Sequence, residues 1–339
     1  MIPLSGDDEK LFHGGDLGAA RRLFPGAVEP FIDLSTGINP NPYPVPRFPA
    51  ALFARLPDPA SMNALAQAAA RAYGAASAAH VVPAPGTQIL LPLVADLAPP
   101  GRAAILAPGY PEHAHAAALA GHKVKAMPGI EACGDAALVM VANPNNPDGK
   151  IFTRSDLLAL AKELRRRDGV LVVDEAFMDV GPRDASLAAD VACGNVVVLR
   201  SFGKFFGLAG LRLGFALAAP PLAARLGAAL GPWAVSGPAL AVGTRALADT
   251  IWIGRTRQRL DAAAQRLDGV LSGLALAVVG GTSLFRLVQT PAANALFQHL
   301  GHSGIWVRAF PDNASWLRFG LPANEREWRR LKTALLAFW

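Results

Sequence analysis

One lysine stands among glycines and phenylalanines in SFGKFFGLAGLRLGF, residues 201–215, with Ser201 three positions before it and Arg212 eight after. An ammonium group in a segment otherwise fit for burial is costly unless it is paired or neutralised. A surface loop would carry Lys204 cheaply, which is the ordinary situation of a lone lysine. The neighbours point elsewhere. Gly203, Gly207 and Gly210 let the backbone pass close to another group, and Ser201 and Arg212 are donors that a phosphate needs. An amine that condenses with an aldehyde gives up its charge. One chemistry therefore covers the segment: Lys204 in a Schiff base, with a phosphate held beside it.

Other polar residues fall where apolar runs end, and ligands of open α/β sheets bind beyond the carboxyl ends of strands. GVLVVDEAF ends in Asp174 and Glu175. A carboxylate there either caps a turn or, under a pyridine ring, keeps the ring nitrogen protonated so that the ring accepts electrons. ALVMVANPNNPDG ends in a turn-forming run, in which Asn146 could also donate to a phenolic oxygen. PAPGTQ places Gly86 and Thr87 at a helix start, where free N–H groups attract phosphate, although small residues start many helices. APGYPEH puts Tyr110 just past a strand, either as a core aromatic or as a ring stacked on a pyridine. Pyridoxal phosphate supplies the aldehyde and the phosphate that these groups call for.

The elements that would position them follow from patterning. The chain has 339 residues, 52% hydrophobic and 17% charged, which describes a packed globular protein with room for one large domain and a smaller one. No apolar run reaches the ~18 residues of a membrane helix. MIPLSGDDEKLF is acidic where a signal peptide would be basic, so export is not expected and the chain reads as cytoplasmic. Cys133 and Cys193 make no disulfide framework, and no His/Cys cluster has metal-ligand spacing. The net charge is +6, but the single basic run, Arg165–Arg167, closes a predicted helix, so no nucleic-acid partner is expected.

Residues 1–60, rich in proline and glycine, read as an N-terminal arm that contributes to the small domain and the active site. Residues 61–230 alternate apolar runs (HVVPAP, AAILAP, ALVMVANP, GVLVVDEAF, VVVLRSFGK) with helical patterns, which predicts a large domain around a mainly parallel sheet covered on both faces. Residues 231–339 read as a linking helix over about 237–269 and a small α+β domain, with strands at LALAVVG, SLFRLVQ, GIWVRAF and SWLRFGL.

The succession GTQ, PGYPEH, NPNNPDG, DEAF and SFGKFFGLAGLRLG resembles the fold-type I pyridoxal-phosphate enzymes, the aspartate aminotransferase superfamily, over nearly the whole chain. The resemblance implies an α/β fold with a large domain and a small C-terminal one, and a homodimer. It makes Lys204 the Schiff-base lysine, Asp174 the partner of the ring nitrogen and Asn146 the donor to the phenolic oxygen. Tyr110 becomes the stacking ring, while Gly86, Thr87, Ser201 and Arg212 hold the cofactor phosphate. Arg318 in SWLRFGLP matches an arginine that binds a substrate anion.

Within that superfamily, HGGDL at 13–17, DLSTGINP at 33–40 and DEAFMD at 174–179 resemble the threonine-phosphate decarboxylases of cobalamin biosynthesis. Histidinol-phosphate aminotransferases share the NPNNP and DEA segments and form the alternative. On the decarboxylase pattern, His13, Gly14, the backbone around Gly37, Asn146, Arg308 and Arg318 would contact a phosphorylated amino acid, L-threonine O-3-phosphate, and carbon dioxide loss would leave aminopropanol phosphate. Three positions depart from relatives. Phe177 stands where aminotransferases usually have tyrosine, Leu56 replaces the tyrosine of RYPDP, and Asp148 replaces the threonine of NPTG. The second lacks the hydroxyl with which, in relatives, that tyrosine reaches the cofactor phosphate across the dimer.

Overall fold

Asp16 starts the first helix, α1 (Leu17–Leu23), by accepting the Ala19 N–H, and the two-residue strand β1 (Ile32–Asp33) follows. These belong to a computed structural model that describes residues 14–131, 133 and 135–339. Its contacts divide the chain into two units, Pro42–Gly254 and a smaller one made of the chain up to Asn41 with Arg255–Trp339.

In the larger unit, α2 (Ala51–Ala54) precedes α3 (Pro59–Tyr73). Helix α3 is capped by Asp58, which accepts the Ser61 N–H, and stops at left-handed Gly74. Next come β2 (Val81–Ala84), α4 (Leu90–Ala95), β3 (Arg102–Leu106), α5 (Pro111–Leu119), β4 (Lys123–Met127), β5 (Leu138–Ala142), α6 (Arg154–Arg165) and β6 (Val170–Asp174). The unit is completed by β7 (Val196–Ser201), α7 (Phe202–Phe205), β8 (Gly214–Leu217), α8 (Pro220–Leu230) and α9 (Gly237–Ala248). The strands form one sheet in the order β2-β8-β7-β6-β5-β3-β4. Only β8 runs antiparallel to its neighbours. Every residue of β5, β6 and β7 is buried, as continuous apolar runs require when helices cover both faces.

Helix α10 (Thr250–Ser272) runs through the division between the units. In the smaller unit it is followed by β9 (Ala277–Thr282), β10 (Phe285–Gln289), α11 (Ala293–His302), β11 (Ile305–Trp306), β12 (Arg308–Ala309), β13 (Trp316–Gly320) and α12 (Glu325–Leu336). An antiparallel sheet has the order β12-β13-β10-β9, and β1 pairs in parallel with β11, Ile32 opposite Ile305. Among the described residues no helix is long and apolar enough to cross a membrane.

The units divide at 41/42 and 254/255 rather than at 60 and 230. The pairing of β1 with β11 draws the first segment to the C-terminal one, while α8 packs on β2 and α9 on α3. Residues 14–41 are also more than an arm, since Phe24 and Leu34 are fully buried. The helix expected over 237–269 is two helices, broken at Asp249, whose side chain accepts the Trp252 N–H and so caps the second. Strands β4 and β8 are additional to the predicted ones. The first is an edge strand mostly exposed and carrying Lys123 and Lys125, and the second spans only four residues.

Candidate active site

The register of β8 assembles the phosphate-binding candidates. Its first residue, Gly214, lies opposite both Ala84 of β2 and Ser201 of β7. Gly86–Thr87, just past β2, thereby lie beside Arg212, which precedes β8, while Ser201 ends β7 on the other side of Gly214. The packing leaves little slack: a Cβ added to Gly214 would stand 2.7 Å from the Thr87 nitrogen. Gly86 has φ +91°, and a Cβ there would stand 2.4 Å from Arg212 Nη2. Glycine thus permits both the turn and the approach of the guanidinium. Arg212 itself is left-handed, φ +53°, and its Nη1 donates to the Ala209 carbonyl at 3.0 Å. Gly86 and Thr87 do not begin the helix directly. They lead through a turn into α4, which starts at Leu90.

Lys204 lies in α7, half-buried, its Nζ 5.6 Å from the centre of the buried Phe177 ring. The three glycines around it serve different ends. Gly203 packs against its own chain, where a Cβ would stand 3.0 Å from Ala209 Cα, and Gly207 has φ +68°. Gly210 faces open space, so close approach does not explain it.

Asp174 closes β6 with its carboxylate held from two sides. The Ala176 N–H donates to Oδ1 at 3.0 Å, and His113 Nε2 lies 3.0 Å from Oδ2. A carboxylate only accepts, so the imidazole donates through Nε2. His113 is buried on α5 three residues after Tyr110, and the two rings meet edge to face at 5.5 Å. Tyr110 is half-buried rather than a core residue, and its hydroxyl donates to Gln88 Oε1 at 3.1 Å. Sequence reasoning passed over His113, since one histidine in an alanine-rich helix carries no pattern.

Asn146 is half-buried in the loop after β5. Its neighbours build that loop. Asn143 accepts from the Phe152 N–H and donates to the Phe152 carbonyl, while Asn145 donates to the Pro108 carbonyl and to Asp148 Oδ1. Asp148 also accepts from the Lys150 N–H, which is how it serves in place of threonine. Leu56 is exposed.

Glu175 points away from this chemistry. Its carboxylate accepts from Ser186 Oγ, the Leu187 N–H and Arg200 Nη1, the last at 2.9 Å. Arg200 reaches Asp179 Oδ1 with its other arm and lies over the Tyr73 ring. Burial pushes the Glu175 carboxyl up against the pull of Arg200. Burial also pulls Arg200 down, but the charges of Asp179 and Glu175 more than offset it, and the guanidinium sits above its ordinary value. The acidic residues of DEAFMD after Asp174 thus form a buried ion triad, invisible until the strands pair.

In the smaller unit, Arg308 on β12 lies directly opposite Arg318 on β13, so both side chains share one face of the sheet. Arg318 is buried, donates through Nη2 to the Ser35 carbonyl at 2.9 Å and lies over the Phe285 ring. Burial first, and the charge of Arg308 second, lower its pKa to about 9, while Asp33 acts in the other direction. Gly14 packs against Ser35, where a Cβ would stand 2.5 Å from the carbonyl oxygen, and Gly37 is buried in the same segment. His13 lies outside the described residues.

The larger unit's donor set fits pyridoxal phosphate. The cradle of Gly86, Thr87, Ser201 and Arg212 suits its phosphate, the carboxylate fixed by His113 suits its ring nitrogen, and Lys204 suits its aldehyde. Residues 50–332 match the family described as aminotransferase class I and II. The chain is 44% identical to the threonine-phosphate decarboxylase of Pseudomonas aeruginosa over 97% of its length and 98% of that protein's. It is 41% identical to the threonine-phosphate decarboxylase of Sinorhizobium sp, covering 96% and 97%. Among solved structures, the histidinol-phosphate aminotransferase of Sinorhizobium meliloti in complex with pyridoxal-5'-phosphate superposes with a TM-score of 0.81 at 24% identity, over 100% of this chain and 98% of that one.

Proposed function

The chain belongs to the class I and II aminotransferase family, and on that premise we propose that it is a pyridoxal-phosphate-dependent decarboxylase of L-threonine O-3-phosphate, yielding (R)-1-aminopropan-2-ol O-phosphate for cobalamin biosynthesis. The pairing of Arg308 with Arg318 carries the reading. Two guanidinium groups opposed in register call for a multiply charged anion, and the names of the two full-length relatives supply a phosphorylated amino acid.

When bound, pyridoxal phosphate supplies an electron sink for the pair of electrons left as carbon dioxide departs. Asp174, held by His113, keeps the ring nitrogen protonated. Thr87, Ser201, Arg212 and the Gly86 backbone would hold the cofactor phosphate, Tyr110 would pack against the ring, and Asn146 would donate to its phenolic oxygen. Arg308, Arg318, His13 and the backbone around Gly14 and Gly37 bind the substrate phosphate. Gripping the substrate there would fix its orientation for loss of the carboxylate. Lys204, as a free amine, then delivers the proton to Cα. Phe177 in place of tyrosine makes the surroundings of Lys204 less polar. The enzyme acts as a cytoplasmic homodimer, in which exposed Leu56 cannot make the polar cross-subunit contact of a tyrosine.

Incubating purified protein with phosphothreonine should release carbon dioxide and aminopropanol phosphate. Amino transfer from histidinol phosphate to 2-oxoglutarate without carbon dioxide release from phosphothreonine would replace this reading with the aminotransferase one.

A further inference from the structure

Ser35 is completely buried, yet every polar atom it has is engaged. Its N–H donates to Asp33 Oδ1 at 2.9 Å, and its hydroxyl donates to the same oxygen at 2.6 Å. The hydroxyl oxygen accepts the Gly15 N–H at 2.8 Å, and the carbonyl accepts Arg318 Nη2 at 2.9 Å. The direction of the chain is fixed, because the carboxylate can only accept and the amide can only donate. One serine therefore joins three segments far apart in sequence: the glycine turn at 14–15, strand β1 and strand β13.

We propose that Ser35 and Asp33 are positioning residues for recognition of the substrate phosphate, a node that holds Arg318 and the Gly14–Gly15 turn in register with each other. The inference rests on the reading of Arg308 and Arg318 as phosphate-binding groups. Sterics support it. A Cβ at Gly14 would stand 2.5 Å from the Ser35 carbonyl oxygen and 2.8 Å from its Oγ, and one at Gly320 would stand 2.6 Å from the Thr36 carbonyl oxygen. The Gly320 N–H also donates to the Leu34 carbonyl at 2.7 Å. The backbones of 14, 34–36 and 320 are thus packed closely around Ser35, whose carbonyl holds Arg318 and whose hydroxyl ties that carbonyl's segment to Gly15 and Asp33. Besides the Ser35 carbonyl, the Arg318 guanidinium is faced by Arg308 from β12, Asp33 from β1 and the Phe285 ring from β10. Arg308 opposes its charge and Asp33 supports it. Burying a serine is unfavourable in an ordinary core position, where an apolar residue would pack as well. Here the polar pair sets where the positive charge stands.

The test separates geometry from charge. Ser35→Ala removes the acceptor for Gly15 and the hydroxyl donor to Asp33, and keeps the backbone N–H on Oδ1. Asp33→Ala removes the carboxylate on which Ser35 rests, whereas Asp33→Asn keeps the Oδ1 acceptor and loses only the charge. In the holoenzyme, Ser35→Ala and Asp33→Ala should each weaken phosphothreonine binding about tenfold, the cost of a lost buried hydrogen bond. KM should rise by that factor with kcat unchanged, and calorimetric affinity for inorganic phosphate should fall in parallel. Asp33→Asn should bind near the wild-type level. The cofactor's visible absorbance, which reports the larger unit, should be the same in all four proteins. Variants that melt earlier but keep the wild-type KM and phosphate affinity would show a structural role and overturn the inference, as would Asp33→Asn failing to exceed Asp33→Ala. If Ser35→Ala does not fold, the Asp33 pair decides. Wild-type protein that binds neither phosphothreonine nor phosphate would instead overturn the phosphate reading of the arginines.

Discussion

Arg200 and Arg318 are almost equally buried, at 5% and 4% exposure, but their surroundings push them in opposite directions. Arg200 stands between Glu175 and Asp179, and their charges hold its proton in spite of burial. Arg318 stands opposite another arginine, and burial and that like charge together work against its proton. The first cluster is settled by the chain itself: it locks the ends of β6 and β7, the strands that carry Asp174 and Ser201, on the face away from the chemistry. In the second cluster like charge opposes like charge, and Asp33 does not outweigh the effect. Such an arrangement is unfavourable in the free protein and favourable once an anion arrives. The contrast separates charge used as scaffold from charge held ready for a ligand.

The sharpest way to break the assignment lies beside the scaffold. Lys204→Ala should abolish turnover, and borohydride treatment of wild-type holoenzyme should fix the cofactor on a peptide containing Lys204. Label on another lysine would sink the role proposed for this residue. The contrast itself is tested by stability. Glu175→Ala leaves the buried Arg200 guanidinium with one of its two carboxylate partners, Asp179, and should cost about 3 kcal/mol of folding free energy. Arg308→Leu relieves a like-charge contact and should leave stability unchanged or improved. Urea titration of both variants reads the difference, and equal losses would erase it.

Much of the first region was legible because parallel strands buried on both faces appear as continuous apolar runs. Polar residues at their ends, Asp174, Asn146, Ser201 and Tyr110, could therefore be placed at one edge of a sheet before any contact was known. His113 was not legible, for its role depends on α5 laying it against the end of a strand 61 positions away. Nor was the triad of Arg200, Glu175 and Asp179, which exists only because β6 and β7 pair in a particular register. The smaller unit hid more. Proline and glycine in residues 14–41 suggest an arm, whereas the burial of Phe24, Leu34 and Ser35 comes from strands and helices near the other end of the chain. The arginine pair could be named from a motif, but its opposition across β12 and β13 could not.

A smaller effect is expected at each member of that pair. Arg308→Ala and Arg318→Ala should each weaken phosphothreonine binding by about 1.5–3 kcal/mol, the range for hydrogen bonds to charged groups. Without the grip on phosphate, the substrate would be held less firmly in the orientation that favours loss of carbon dioxide. The ratio of carbon dioxide released to glutamate formed from 2-oxoglutarate should then fall in both variants. An unchanged ratio with weakened binding would confine the arginines to affinity.

The smallest effect is a pH dependence, and its sign follows from Arg318. Its pKa of about 9 lies below the ordinary guanidinium value, so between the two the unfolded chain binds more protons than the folded one. Stability without ligand therefore rises with pH across that window, and below about 9 the buried charge detracts from it. Phosphate binding has the opposite dependence, because it needs the charge. Phosphothreonine at a hundred times its Kd should stabilise the protein by about 2.7 kcal/mol at pH 7.5. That gain should shrink at pH 10, where the free site has begun to lose its proton and binding must restore it. In Arg308→Leu the repulsion is gone, Arg318 keeps its charge to higher pH, and the gain at pH 10 should be closer to that variant's own value at pH 7.5. Thermal melts of holoenzyme with and without phosphothreonine measure all four quantities. A wild-type gain that is the same at both pH values would mean that Arg318 does not carry the charge on which phosphate recognition depends.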